Sequence, residues 1–294
     1  MRETLTRRDL FALSLAGFAH VACARNESAV MEETQERAWG VQLYTVRDQI
    51  DRAADATLQA IAAIGYRELE ILQATLPTVA PLAKKLGLSM VSAHLDAATI
   101  DGAGLAEFVA QAKDHGLRYI VIPWVPPEKR PTDRAGFEAL AGRFNRVNHV
   151  VARAGLQPCY HNHAFEFGRD RDGTRWLDVL MQATAQAGMK LELDVFWVSV
   201  TGADPLDVIK QYSGRIALMH LKDRRPSAEP TLVESSVPHE AFVEVGSGAL
   251  NVPAILAASR AAGVEHYFVE QDFTPGDPVA SLRKSYAYLS GIKL

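Results

Sequence analysis

The 294-residue chain has only two cysteines, Cys23 and Cys159, which excludes a disulfide framework. It lacks any apolar run near the roughly 18 residues needed to span a bilayer. Basic residues are not in excess: 31 Lys and Arg stand against 35 Asp and Glu, a formal net charge of −4. A mildly acidic chain without basic clusters is a poor candidate for coating nucleic acid, since that binding neutralises phosphates with Lys and Arg. Nor does a GxGxxG follow the first apolar strand, which argues against a dinucleotide-binding sheet. What is present, 48% apolar and 22% charged residues, is the composition of an ordinary folded core.

The first 24 residues stand apart from that core. Arg7-Arg8 is followed by the weakly apolar Phe11 to Ala24, too short to span and ending Ala22-Cys23-Ala24. The order of charged, apolar and small-residue segments is that of a twin-arginine export signal, which predicts a periplasmic or cell-envelope protein. Cleavage after Ala24 leaves one cysteine, Cys159, and so no internal disulfide. Cys23 admits a second reading as a lipid-bearing anchor, although His20 stands where a lipobox usually has Leu. Residues 25–38 are polar and rich in Glu, and read as a linker.

From Trp39 onward one phrase recurs: a helical stretch, a glycine, then a short apolar strand. The glycines are Gly65, Gly87, Gly116, Gly155, Gly188, Gly214 and Gly263, each suited to close a helix in the left-handed conformation. The strands are then expected at 41–46, 66–72, 88–94, 117–123, 156–162, 190–196, 215–221 and 265–270. Most are continuous apolar runs such as Tyr119-Ile120-Val121-Ile122, which indicates strands covered on both faces and hence a parallel sheet. Eight such units over about 250 residues fit an α/β (β/α)8 TIM barrel spanning 39–294 better than an open sheet.

Chemistry in this fold sits where the strands end. Those positions are Tyr44, Glu70, His94, Trp124, His161 with His163, Asp194, His220 with Lys222, and Glu270 with Asp272. Core filling would place Val, Ile and Leu there instead. His161, Asp194, His220 and Glu270, from strands five to eight, make a set of two imidazoles and two carboxylates suited to a divalent cation such as Mn, Co, Zn or Mg. The alternative is a hydrogen-bonded polar layer capping the barrel. Glu192, on the same face as Asp194 but deeper, reads as support for the ligands. The connection from Lys222 to Leu250, rich in Pro and Ser, suits a lid or an idle insertion, and Gly246-Ser247-Gly248 within it offers backbone N–H groups to an anion.

Tyr160-His161-Asn162-His163-Ala164-Phe165-Glu166-Phe167, Leu191-Glu192-Leu193-Asp194-Val195-Phe196-Trp197, Met219-His220-Leu221-Lys222-Asp223 and Phe268-Val269-Glu270-Gln271-Asp272 together resemble the xylose isomerase-like barrels called sugar phosphate isomerases/epimerases. Relatives in that superfamily include D-tagatose 3-epimerase, inosose dehydratase, 3-dehydroshikimate dehydratase and an apurinic endonuclease. The resemblance implies a divalent metal held by Glu, Asp, His and Glu from strands five to eight. Asp194, His220 and Glu270 match the last three positions, whereas His161 stands where most relatives carry Glu. In the epimerases that Glu is also one of two proton-transferring bases, so the departure counts against a symmetrical two-carboxylate epimerisation. His163 resembles the acid–base His of the dehydratase branch.

The expected activity is metal-assisted removal of a proton beside the carbonyl of a ketose or keto-sugar, of the isomerase/epimerase type. The alternative outcome is a lyase or hydratase acting on inososes or 3-keto-glycosides. A nuclease or a non-catalytic sugar-binding barrel ranks behind both. His163 and Glu270 are the candidates for proton transfer, with Lys222 neutralising an oxyanion or pairing with Asp223. Glu70 and His94 are expected to bind hydroxyls, and Trp124 and Trp197 to offer flat faces to a sugar ring or simply to pack. Glu166 is either catalytic or a loop carboxylate. Export and the absence of an Arg cluster together predict a small, unphosphorylated sugar as the partner.

Overall fold

The computed structural model describes residues 38–293, apart from 103, 227 and 228. The export signal, Cys23 and all of the linker but Ala38 lie outside the described residues. Among the described residues no helix is long and apolar enough to cross a membrane.

Eight parallel strands close into a barrel: β1 (Gly40–Gln42), β2 (Glu68–Leu72), β3 (Ser89–His94), β4 (Tyr119–Ile122), β5 (Gln157–His161), β6 (Lys190–Asp194), β7 (Ile216–Leu221) and β10 (His266–Val269). A short antiparallel pair, β8 (Asp223–Arg224) with β9 (Phe242–Val243), stands outside it, within the connection that follows β7. Helices α1 (Arg47–Ile64), α2 (Leu76–Leu86), α3 (Ala97–Asp101), α4 (Leu105–Asp114), α5 (Arg134–Arg153), α6 (Trp176–Ala183), α7 (Val195–Val200), α8 (Pro205–Gln211) and α9 (Val252–Ala261) occupy the connections between the barrel strands, and α10 (Pro278–Ser290) follows the last strand. All eight strands fall where the sequence places them. The seven glycines of the repeated phrase all have positive φ, between 67° and 127°, as a left-handed helix stop requires.

Two strands end earlier than their apolar runs suggest, and in both a polar side chain stops them. The Gln42 side chain accepts the Tyr44 N–H at 2.9 Å and starts a 3-10 turn over Leu43–Val46. Asp194 Oδ1 accepts the Trp197 N–H at 2.9 Å, so Val195 opens α7 instead of extending β6. Such a cap satisfies an amide that the first helical turn leaves without an intrahelical partner.

The lower barrel interior is filled by Val121, Cys159, Leu218 and Phe268. Gly40 on β1 makes room for this packing, because a Cβ there would lie 2.5 Å from the Phe268 ring. Above this plug the inward positions turn polar. His161 is in register with Glu192, Asp194 with His220, and Gln42 with Glu70. Adjacent strands thereby bring residues far apart in sequence to one level of the barrel.

Candidate active site

The strand ends converge on two layers of titratable side chains. In the upper layer His220 Nδ1 lies 2.8 Å from Glu270 Oε2 and 3.8 Å from Asp194 Oδ2. The Lys222 ammonium sits beside the same two carboxylates, 2.6 Å from Glu270 Oε2 and 3.0 Å from Asp194 Oδ2, and also 2.7 Å from Asp272 Oδ1. In the lower layer Glu192 Oε2 is 2.8 Å from His94 Nε2 and 3.4 Å from both His161 Nδ1 and His220 Nε2. Glu70 lies beneath His220, with Oε2 at 2.5 Å from His220 Nε2 and 3.1 Å from His94 Nε2. It also accepts hydrogen bonds from Gln42 at 2.8 Å and Ser92 at 2.6 Å.

The electrostatics follow from burial set against neighbours. Burial disfavours the charged Lys222, yet the carboxylates of Asp194, Asp272 and Glu270 hold it cationic, well above its ordinary range. Burial likewise opposes ionisation of Glu270, but Lys222 and His220 outweigh it and keep the carboxyl well below the usual range. Asp194 goes the other way, raised by burial, and burial also pushes Asp272 up to about 6. Burial, and then the nearby Lys222 charge, hold His163 well below 6.5, so its imidazole is neutral near pH 7. In the lower layer Glu70 and Glu192 overcome burial and lift His94 to about 9.

The expected site residues separate under this geometry. Asp194, His220 and Glu270 do meet, with their ligand atoms within 4.8 Å of one another. His161 groups instead with His94, Glu192 and His220 in the lower layer, and its Nε2 reaches Asp194 Oδ2 only at 3.9 Å. The reason is depth: His161 is the register partner of Glu192, two residues below Asp194. Glu70, expected to meet a hydroxyl, is fully buried and engaged by Gln42, Ser92 and His220. His94 is likewise buried and bonded to Glu192. Trp197 is buried, with its ring 5.4 Å from that of His163 and 5.9 Å from that of Phe242. Trp124 is 38% exposed and donates its Nε1–H to Glu234 at 3.2 Å.

Two expectations about charge pairing change. Lys222 does not pair with Asp223, whose carboxylate accepts the N–H groups of Gly246, Gly248 and Leu250 at 2.9–3.1 Å. The glycine segment thus cradles an anion that the chain itself supplies. Glu166 is fully buried beneath the site, its oxygens accepting the Tyr160 hydroxyl and the His163 N–H, and burial raises it to about 8. Sequence reasoning missed Gln42, Ser92 and Asn162. Asn162 Oδ1 accepts the Asp194 N–H at 3.0 Å and ties the ends of β5 and β6 together. The signal for Gln42 and Ser92 was a polar residue at an inward position of an otherwise apolar strand.

A metal fits the upper layer. Asp194 Oδ2, His220 Nδ1 and Glu270 Oε2 are buried, and two carboxylates with one imidazole suit a borderline divalent ion, which would share with the Lys222 ammonium the oxygens it now contacts.

This architecture is a closed (β/α)8 TIM barrel, the fold of the solved proteins to which the chain is similar. A solved sugar phosphate isomerase/epimerase from Parabacteroides distasonis superposes with a TM-score of 0.71 at 24% identity, covering 89% of this chain and 96% of that one. The solved IOLI protein with a bound zinc atom gives a TM-score of 0.67 at 13% identity, over 86% of this chain and 96% of that one. Among curated proteins the chain is similar to an inosose dehydratase of Geobacillus thermodenitrificans, 28% identical over 162 residues. That match takes in 52% of this chain and 53% of the relative, so the chain spans about half the length of that curated protein. No protein-family model matches the sequence.

Proposed function

We propose that this protein is a divalent-metal-dependent enzyme that removes the proton beside the carbonyl of an unphosphorylated keto-sugar and expels the neighbouring hydroxyl, a lyase of the dehydratase type. The observation that carries this reading is His163. It is half-buried at the end of β5, its Nδ1 makes no hydrogen bond, and burial with Lys222 keeps it neutral. A neutral imidazole at the mouth of a barrel is a competent base near pH 7. Glu270, the other candidate, is held ionised well below its ordinary range by Lys222 and His220, and a carboxylate so stabilised is a weak base. One base suffices for elimination, whereas epimerisation through two faces calls for a second.

Asp194, His220 and Glu270 would hold the metal, which when bound supplies a Lewis acid for the substrate carbonyl and an adjacent hydroxyl. His163 takes the α-proton. The resulting imidazolium hands that proton to the departing β-oxygen, so water leaves and the electron pair forms a double bond conjugated with the carbonyl. Lys222 keeps the carboxylates neutralised, and Trp197 flanks the His163 ring. The inosose dehydratase similarity supports elimination. The similarity to a solved sugar phosphate isomerase/epimerase supports a second reading, in which the same proton is returned to carbon.

The mouth also fits a substrate without phosphate. Arg130 is paired with Glu234 at 2.8 Å, and Arg47 donates to the carbonyls of Tyr44 and Asp272. We infer that the twin-arginine segment takes the protein to the periplasm or cell envelope, where free sugars are the available substrates. The test is a panel of inososes and keto-sugars, with and without phosphate, in deuterated water. Wild type should release water from an unphosphorylated substrate, and His163→Ala should retain metal while losing both elimination and deuterium exchange. Exchange undiminished in His163→Ala would remove His163 from the chemistry. Preference for the phosphorylated form, with the protein retained in the cytoplasm on fractionation, would overturn the substrate class.

A further inference from the structure

The lower layer contains more ligand chemistry than support of the upper one requires. His94 on β3, His161 on β5, Glu192 on β6 and His220 on β7 each offer a ligand atom within 4.8 Å of the others, and all are buried. From this geometry we propose a second divalent-cation site, distinct from the upper one and sharing with it only the His220 ring, which would give up its N–H proton and, as an imidazolate, offer one nitrogen to each.

Three observations carry it. The first is spacing. Four ligands at about 2.0–2.1 Å from a tetrahedral ion are separated from one another by roughly 3.3 Å. Glu192 Oε2 stands 3.4 Å from His161 Nδ1 and 3.4 Å from His220 Nε2. Its 2.8 Å contact with His94 Nε2 has to open, and His220 Nε2 has to draw away from the Glu70 oxygen that it meets at 2.5 Å. The second is an unsatisfied nitrogen. His161 is 2% exposed, and its Nδ1, aimed at Glu192, makes no hydrogen bond; Glu192 Oε1 makes none either. Buried polar atoms left without partners call for an explanation, and an absent ion is one of the standard ones. The third is charge. Glu70 lies against His220 and His94, fixed by Gln42 and Ser92. Glu70 and, once the ion displaces its proton, Glu192 would supply the two negative charges that neutralise one divalent ion.

Three imidazoles and a carboxylate oxygen, without sulfur, favour zinc or cobalt over magnesium or calcium. Imidazole and carboxylate bind an ion only in their deprotonated forms, so binding should release protons and tighten as pH rises. Binding at this level would also fix the His220 ring from below and so orient the nitrogen that faces Asp194 and Glu270. The site thus goes beyond the proposed function and does not depend on it.

The test is metal content of the full chain after loading with zinc and exhaustive dialysis, read alongside the visible spectrum of the cobalt-loaded protein. Wild type should hold roughly two ions per chain, and cobalt should show the intense bands of a four-coordinate ion. Asp194→Asn with Glu270→Gln should remove only the upper ion. His94→Ala, or Glu192→Gln, should remove only the lower one and abolish the four-coordinate spectrum. If wild type holds a single ion that survives in Asp194→Asn/Glu270→Gln and is lost in His94→Ala, the lower site stands and the upper site of the proposed function falls. A single ion with the opposite pattern, or no ion at all, overturns the second site. The wild-type stoichiometry and spectrum decide the matter even if a buried variant fails to fold.

Discussion

The Lys222 ammonium lies 2.6 Å from Glu270 Oε2, the oxygen that also faces His220 Nδ1 at 2.8 Å. The chain therefore holds a cation of its own against two of the carboxylates proposed to hold the metal, and neutralises them. Lys222→Met leaves Asp194, Glu270 and Asp272 buried together without it. Removing one partner of a buried ion pair costs about 3–5 kcal/mol. The variant should therefore melt well below wild type in chelator and regain much of the difference when zinc is added. Equal metal-induced shifts in Tm for the two proteins would show that Lys222 and the ion do not share those oxygens.

Glu166 makes a prediction about pH. Burial raises it from an ordinary 4.5 to about 8, so the folded protein keeps a proton that the unfolded chain gives up near pH 4.5. The stabilisation is complete below the unfolded value and is lost as pH rises toward about 8, at about 1.4 kcal/mol per pH unit. In Glu166→Gln that contribution is absent. The difference in urea stability between wild type and variant should accordingly fall across pH 5 to 8. A constant difference over that window would mean that Glu166 is ionised in the folded protein.

Asp223 organises the connection after β7. Its carboxylate accepts three backbone N–H groups from Gly246, Gly248 and Leu250. Asp223→Ala leaves those donors without their partner, at about 1–3 kcal/mol for each that stays buried. Gly248→Ala should act on the same joint, because its Cβ would lie 2.2 Å from Asp223 Oδ1 and 2.4 Å from the Arg224 carbonyl. Both variants should be cut faster than wild type by protease between residues 225 and 245. Resistance equal to wild type in both would show that the β8–β9 pair alone holds the connection.

Glu70→Ala tests the base of the site. It removes the carboxylate bonded to Gln42, Ser92 and His220, and leaves buried imidazoles short of a counter-charge. Stability at pH 7 should fall by about 3–5 kcal/mol. Retention of wild-type stability would indicate that the imidazoles of His94 and His220 are neutral in the folded protein.

The amino-acid sequence by itself determined the barrel. Helix-stopping glycines recur before each of seven strands, and apolar runs such as Tyr119–Ile122 are local signals that suffice to place elements in order. It also determined which residues crowd one end, since strand ends share a face in this fold. Only the tertiary structure decided how those residues divide. Whether His161 stands beside Asp194 or beside Glu192 depends on strand register and on the stagger between neighbours, which are long-range properties invisible to spacing along the chain. The same holds for Asp223, whose partners lie 23–27 residues away, and for Glu70, whose bond to His220 crosses 150 residues. Charge partners are chosen by the distance that folding produces, and for Lys222 folding produced Glu270, Asp194 and Asp272.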